Sequence, residues 1–376
     1  MIFDIYQQAF WESDRGGVWD DGTMYLYIGV ILLVILLGQF AENNRKKSLK
    51  FWFVTAATVL SVILGFRGEN VGADTMQYIY SFENALDRNF WANSTTEPGY
   101  HLLLKILRLI LPNSTVFIAL ISILTVFFVY STLWKNRKNI NLLIAFSFYV
   151  GLYFFQALNL LRIYLAAAFV FWNFNYLIEK KYGRFAVVVL LTSLIHYSTL
   201  VMLFPLGFLL LYQKNSKLAL IAVSALIVMA IPLTARFGDI IRIARYAAYG
   251  EMNESSRSVG IMLFFDYLPA FYLIWYVLRY KIKGQWTDLL ISLTITGFFI
   301  RFIAYYITIA GRLWTHFMGL FVLVIPFFVH HIQKNHRKLY LPTMLLLFMY
   351  LVVKIHFYFI GYLGSDAIMP YTFFWN

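Results

Sequence analysis

Twelve apolar runs follow one another along the chain, at 24–41, 51–66, 114–134, 140–157, 159–178, 185–198, 199–213, 218–234, 260–279, 288–307, 311–329 and 340–361. Segments this long and this poor in charge must bury their backbone polar groups away from water. In a bilayer only helices and closed barrels satisfy every such group internally, and runs near twenty residues match a helical crossing. The runs therefore predict an all-α polytopic integral membrane protein, one membrane domain over residues 1–376, with about twelve transmembrane segments, some of them short or re-entrant. Composition agrees, since 61% of the 376 residues are hydrophobic and 13% charged, against about 25% charge in a soluble domain. There is no cysteine, which excludes disulfides and thiolate metal sites.

Short basic strings separate the runs: "NNRKKSLK" (43–50), "KNRK" (135–138), "EKKYGR" (179–184), "QKNSK" (213–217), "RYKIK" (279–283) and "QKNHRK" (333–338). They hold 18 of the 31 lysines and arginines. Placing all six strings in the cytoplasm satisfies the positive-inside rule. The net charge of +13 is then a product of insertion, and no nucleic-acid partner is needed to explain it. Both termini fall outside, as do the loops at 67–113 and 235–258. The N-terminal arm lacks the charged start and cleavage site of a signal peptide. "HLLLKILRLIL" (101–111) is too short to cross and carries Lys105 and Arg108, so it is expected on the outer interface as an amphipathic helix. The stretch 185–213 has basic ends and is too long for one helix. It reads as a hairpin of two short helices turning near His196–Ser198. At ~1.5 Å per residue, fourteen residues reach about 21 Å, less than a ~30 Å hydrocarbon core. Such helices belong inside a bundle, beside a water-filled cavity. No internal repeat is visible, although alternating-access transporters commonly show one.

The two cations are unequally placed. The six strings hold thirteen lysines and five arginines, and the remaining basic residues are eleven arginines with only Lys105 and Lys354. A guanidinium forks onto phosphate oxygens and stays charged in poorly hydrated places, which an ammonium does less well. Arg162, Arg301 and Arg312 lie within or against apolar runs. Ionisable residues there point to function, with a structural ion pair as the competing role. In the 235–258 loop Arg242 and Arg245 share a helical face with Tyr246 and Tyr249, a basic and aromatic surface suited to an acidic or sugar ligand or to lipid headgroups.

Three further stretches carry chemistry. "LGFRGENVGADTMQYIYSF" (64–82) sets Arg67, Asp74 and Tyr78 just after an apolar run, with Gly68 and Gly72 between the arginine and the acid. Arg67 and Asp74 are expected to brace one another. "TTEPGYHLL" (95–103) puts Glu97 on extended chain before Pro98, at a helix start. "LLTSLIHYSTL" (190–200) sets His196 in an apolar hairpin, as a hydrogen-bonded core residue or as a proton acceptor. No His, Asp and Glu set has metal-ligand spacing, and no metal or other cofactor is expected.

Those motifs, in their order, resemble the EpsG family of Wzy-type polysaccharide polymerases. The family pattern ends a membrane helix in Arg, followed by G-x-D and a Tyr, then E-P-G-[FY]. N-x-x-R at a helix head comes next, and then a helix ending in His followed shortly by Ser. Here these are Arg67, Gly72, Asp74 and Tyr78; Glu97, Pro98 and Gly99; Asn159 and Arg162; and His196 and Ser198. Tyr197 stands where relatives often carry Pro. The resemblance covers roughly residues 64–205.

The resemblance implies a GT-C-like membrane glycosyltransferase in a bacterial inner membrane, working on the outer face. Its substrate would be an undecaprenyl-diphosphate-linked oligosaccharide, and its partners membrane lipids and a chain-length regulator. Such an enzyme needs groups that hold the diphosphate and a base for the acceptor hydroxyl. Arg162, Arg245, Arg301 and Arg312 are the expected diphosphate ligands, with Arg67 and the tyrosines 78, 246 and 249 in supporting contact. His196 is the first candidate for the base, with Glu97 and then Asp74 behind it. Attack opposite the leaving group would invert the anomeric centre and needs no covalent intermediate. An O-antigen ligase, a lipid-linked oligosaccharide flippase and a non-catalytic assembly partner are the alternatives.

Overall fold

The computed structural model describes residues 3–12, 18–45, 48–92, 96–226, 262–306 and 308–375. Helix occupies each of the twelve apolar runs, as far as they are described. Six helices are long and apolar enough to cross a membrane: Asp21–Asn43, Ser114–Asn136, Leu161–Ile178, Gln285–Ala304, Ala310–Asn335 and Arg337–Tyr362. Shorter apolar helices include Leu49–Gly65, Leu142–Ala157, Tyr182–Ser193, Ser216–Leu226 and Leu268–Arg279. Among the described residues there is no strand, only an isolated antiparallel bridge between Arg67 and Phe373. The chain is a multi-pass membrane protein, and its contacts divide it into two compact units.

Unit 1 comprises Met1–Trp172, Leu194–His196 and Phe321–Asn376. We label its helices α1 (Asp4–Glu12), α2 (Asp21–Asn43), α3 (Leu49–Gly65), α4 (Thr75–Glu83), α5 (Pro98–Ile110), α6 (Ser114–Asn136), α7 (Leu142–Ala157) and α8 (Leu161–Trp172). Asp20 starts α2 by accepting from the backbone N–H groups of Gly22 and Thr23, at 3.1 and 2.8 Å, which satisfies donors that the helix leaves open. α6 packs along both α3 and α8. A wider turn of π-helix at Val150–Phe154 interrupts α7, and every residue of that turn is buried.

One end of unit 1 gathers basic strings. Arg45 donates to the carbonyls of Arg137 (2.6 Å) and Ile140 (2.8 Å), and Glu42 accepts from the Leu142 N–H at 2.7 Å, at the start of α7. Asn141 reaches Tyr340 on the helix Arg337–Tyr362. Because the helices run from end to end, the segments 65–75, 97–100 and 157–162 and the tail after Tyr362 collect at the opposite end. α5 lies there, as an amphipathic helix. Its Tyr100 and Leu104 are buried, while Leu102, Ile106, Leu109 and Ile110 are exposed.

Unit 2 comprises Asn173–Ser193 and Tyr197–Leu320. Its helices are α9 (Tyr182–Ser193), α10 (Leu203–Lys214), α11 (Ser216–Leu226), α12 (Leu268–Arg279) and α13 (Gln285–Tyr306). The expected hairpin at 185–213 is α9, a break, a turn of 3-10 helix at Tyr197–Met202, and α10. Near the basic strings Gln285 donates to the Leu177 carbonyl and Gln213 donates to Asp288. The buried Ser292 of α13 donates to the Pro205 carbonyl of α10 at 2.7 Å.

Candidate active site

Glu97, Arg162 and His196 are far apart in sequence and meet in unit 1. The meeting begins with local chemistry at the head of α5. Pro98 disfavours helical backbone in the residue before it, and Glu97 is extended, with φ −68° and ψ 141°. Gly99 then lets the helix lie against the backbone of Leu194. A Cβ on Gly99 would stand 2.6 Å from the Leu194 Cβ and 2.7 Å from its carbonyl oxygen. The Tyr100 N–H donates to that carbonyl at 3.1 Å. Leu194 is two residues before His196, so this close approach brings the imidazole to Glu97.

The Glu97 side chain is 8% exposed. Its Oε2 accepts from Arg162 Nη1 at 2.8 Å, and its Oε1 lies 3.9 Å from His196 Nδ1. The guanidinium also sits over the Tyr100 ring, 4.9 Å from its centre, a cation–π contact strengthened by partial burial. Arg162 and His196 keep 21% and 22% of their side chains exposed. The carboxylate is thus the floor of the cluster, and the guanidinium and imidazole are its accessible parts. The Arg162 Nε and the Tyr100 hydroxyl are buried without a hydrogen-bond partner among the described residues. Burial pushes the Tyr100 phenol above its usual range, so it stays protonated.

The glycine loop after α3 is built differently from expectation. Arg67 is 3% exposed. Its guanidinium donates to the carbonyls of Leu64 and Val71 and approaches the Ser122 hydroxyl at 3.4 Å. It does not pair with Asp74. The physical reason is position: Arg67 follows the last turn of α3, where the Leu64 carbonyl lacks an intrahelical partner, and that carbonyl and the loop carbonyl of Val71 take its donors. Burial lowers Arg67 to about 10, so it stays charged at neutral pH. Asp74 precedes α4 but makes no cap bond, and its half-buried carboxylate has no partner among the described residues. Tyr78 is buried with Phe82, Tyr100, Leu104 and Phe117, behind the Glu97 cluster.

In unit 2, Arg301 Nε donates to the buried Asp266 at 2.6 Å. The Arg301 guanidinium lies beside Gly311, and the neighbouring Arg312 is exposed with no partner among the described residues. Arg245, Tyr246 and Tyr249 lie outside the described residues. His316 is a residue that motif reading missed. It is buried and its Nε2 lies 2.7 Å from the Ser198 hydroxyl. The available signal was a histidine inside the apolar run 311–329. Among the described residues no group of three His, Asp or Glu could hold a metal ion.

A family model, that of the EpsG family, matches residues 50–373. The chain belongs to the EpsG family. Wzy-type polymerase is the known kind of EpsG member, and membership with the apolar helices places this EpsG protein in polysaccharide biosynthesis at a membrane. The matched region contains Glu97, Arg162 and His196 and the tail after Tyr362 as far as Phe373. No curated protein and no solved structure matches this EpsG protein.

Proposed function

We propose that this EpsG protein is an inverting polysaccharide polymerase that moves a growing glycan from a polyprenyl diphosphate onto the non-reducing end of a lipid-linked repeat unit. The observation that carries the reading is the convergence of Glu97, Arg162 and His196 at the end of unit 1 opposite its basic strings. By the positive-inside rule that end faces away from the cytoplasm.

His196 is the base. Its imidazole is more exposed than the Glu97 carboxylate, one oxygen of which is already engaged by Arg162. Nδ1 faces Glu97, so Nε2 takes the acceptor proton. Glu97, with its Oε1 3.9 Å from Nδ1, stabilises the imidazolium as it forms by charge. The acceptor oxygen bonds to the anomeric carbon as the bond from that carbon to phosphate oxygen breaks. The electron pair leaves on the lipid diphosphate. Charge growing there is met by guanidinium donors, of which we propose Arg162, the one that stands in this cluster. Arg67 serves as a brace of the glycine loop.

Purified protein supplied with lipid-diphosphate repeat units tests the reading. A ladder of lengthened glycans on lipid is expected. Transfer to lipid A would mean a ligase, movement without new bonds a flippase, and binding alone an assembly partner. His196→Ala is expected to abolish the ladder while the protein still inserts; a full ladder from that variant moves the base to Glu97 or Asp74.

A further inference from the structure

The tail after Tyr362 grips the glycine loop, and its grip sets where Asp74 points. Three successive N–H groups of the loop are held by groups outside it. Gly72 N donates to the Ala367 carbonyl at 2.7 Å, Ala73 N to the Asp366 carbonyl at 2.9 Å, and Asp74 N to Asn159 Oδ1 at 2.9 Å. Gly72 has φ +97°, a left-handed conformation open to glycine, and a Cβ there would meet the Leu158 carbonyl at 2.3 Å. Asp74 is left with helical backbone, φ −92° and ψ −4°. A capping aspartate ordinarily has extended backbone and folds its carboxylate onto the next N–H groups. Asp74 cannot do so, and its carboxylate stays unspent.

Asn159 is fixed in turn. Its Oδ1 must face the Asp74 N–H, so its Nδ2 needs an acceptor, and Asp366 Oδ1 supplies one at 3.0 Å. The other oxygen of Asp366 accepts from the Tyr358 hydroxyl at 3.0 Å. A chain of hydrogen bonds therefore runs Tyr358, Asp366, Asn159, Asp74. Asn159 is also three residues before Arg162, so one short segment sets both the loop and the guanidinium on Glu97. One turn beyond Asp74, Tyr78 packs in the same buried cluster as Tyr100, whose ring carries Arg162.

We propose that Asp366 and Asn159 are positioning residues that hold the Asp74 carboxylate ready to accept hydroxyl groups of the incoming acceptor sugar. This rests on the polymerase reading. A carboxylate with both oxygens available suits two neighbouring sugar hydroxyls, each a charge-assisted hydrogen bond. The assignment concerns acceptor binding and leaves the proton transfer with His196.

The test is steady-state polymerisation by the purified full chain, with the lipid-linked repeat unit varied as acceptor at saturating donor, and then the reverse. Asp366→Ala is expected to raise the acceptor KM about tenfold or more, with the donor KM and kcat near wild type. Asp74→Ala should do the same, and the double variant should be no worse than Asp74→Ala alone, because both remove one interaction. Additive losses, or equal changes in both KM values and kcat, would mean a merely structural tail and overturn the proposal.

Should Asp366→Ala not fold, an exchange of donor and acceptor replaces it. Asn159→Asp sets two carboxylates against each other and should raise the acceptor KM. Adding Asp366→Asn restores a donor facing an acceptor and should bring it back. No recovery in that pair overturns the proposal. Wild-type protein that makes no ladder overturns the polymerase reading, and this assignment with it; a wild-type ladder with an unchanged acceptor KM in the variants overturns this assignment alone.

Discussion

Arg162 does two jobs with one side chain. It neutralises a carboxylate that is nearly sealed from water, and it keeps a fifth of its own surface exposed. The two jobs separate under substitution. Arg162→Ala strands a buried charge, and breaking such a pair costs about 3 kcal/mol, the low end for buried pairs because Arg162 is partly solvated. Arg162→Lys keeps the charge on Glu97 but loses the planar fork and most of the stacking on Tyr100. Thermal unfolding in detergent should show a clear loss for the alanine variant and little for the lysine variant. Glycan ladders should be gone in both, with the lysine variant down by ~10²–10³ in rate. A lysine variant that polymerises normally would show that charge alone suffices and would remove the fork from the mechanism. The residues of this cluster were legible singly, as an acid before proline, an arginine in an apolar run and a histidine in a hairpin. Their meeting was not, because pairing between residues 65 positions apart leaves no local periodicity. Asp366 and His316 left still less trace, since an isolated polar residue near apolar sequence has no spacing to read.

Elements were easier to foresee. Run length foresaw helix in each described apolar run, because hydrocarbon leaves the backbone no other choice, but of the about twelve crossings expected only six helices among the described residues are long and apolar enough to cross. The amphipathic α5 and the broken hairpin followed from their length and basic flanks. What the pattern could not supply was the contact between α5 and the Leu194 backbone, for which a single glycine is responsible. Gly99→Ala would push a methyl group to within 2.7 Å of a carbonyl oxygen, and the helix would have to lift. The expected result is insertion at normal levels with polymerisation down at least tenfold, as Glu97 and His196 separate. Gly183→Ala is the control, since nothing lies within 4 Å of its added methyl. Equal activity in the two variants would show that the approach at Leu194 is not needed.

On the scale of the whole molecule, the basic strings pointed to the end that unit 1 gathers through Arg45, Arg137 and Ile140, while the return of the tail was not readable. Tail residues reach distant parts of unit 1. Tyr371 N donates to Thr23 Oγ1 and its hydroxyl to the Ile63 carbonyl, each at 2.8 Å, and Tyr27 donates to the Ile368 carbonyl. The Gly68 N–H is taken by the Thr372 carbonyl at 2.7 Å. Removing residues 366–376 should therefore abolish polymer even in protein that inserts, and should open the amides of residues 68–74 to rapid hydrogen exchange. Protection of those amides in the shortened chain would show that the loop holds itself.

The order of synthesis turns that tail into a timing constraint. Residue 366 is made almost three hundred positions after the loop it secures, about 15–60 s later at ordinary elongation rates. Through that interval the N–H groups of Gly68, Gly72 and Ala73 have no protein acceptor from the tail, and hydrocarbon would leave them unsatisfied. The nascent loop must wait in water. The loop's final arrangement then arrives in one late step, after translation has passed the helix Arg337–Tyr362, so a partly inserted chain cannot yet hold Gly72 and Ala73 as the folded chain does.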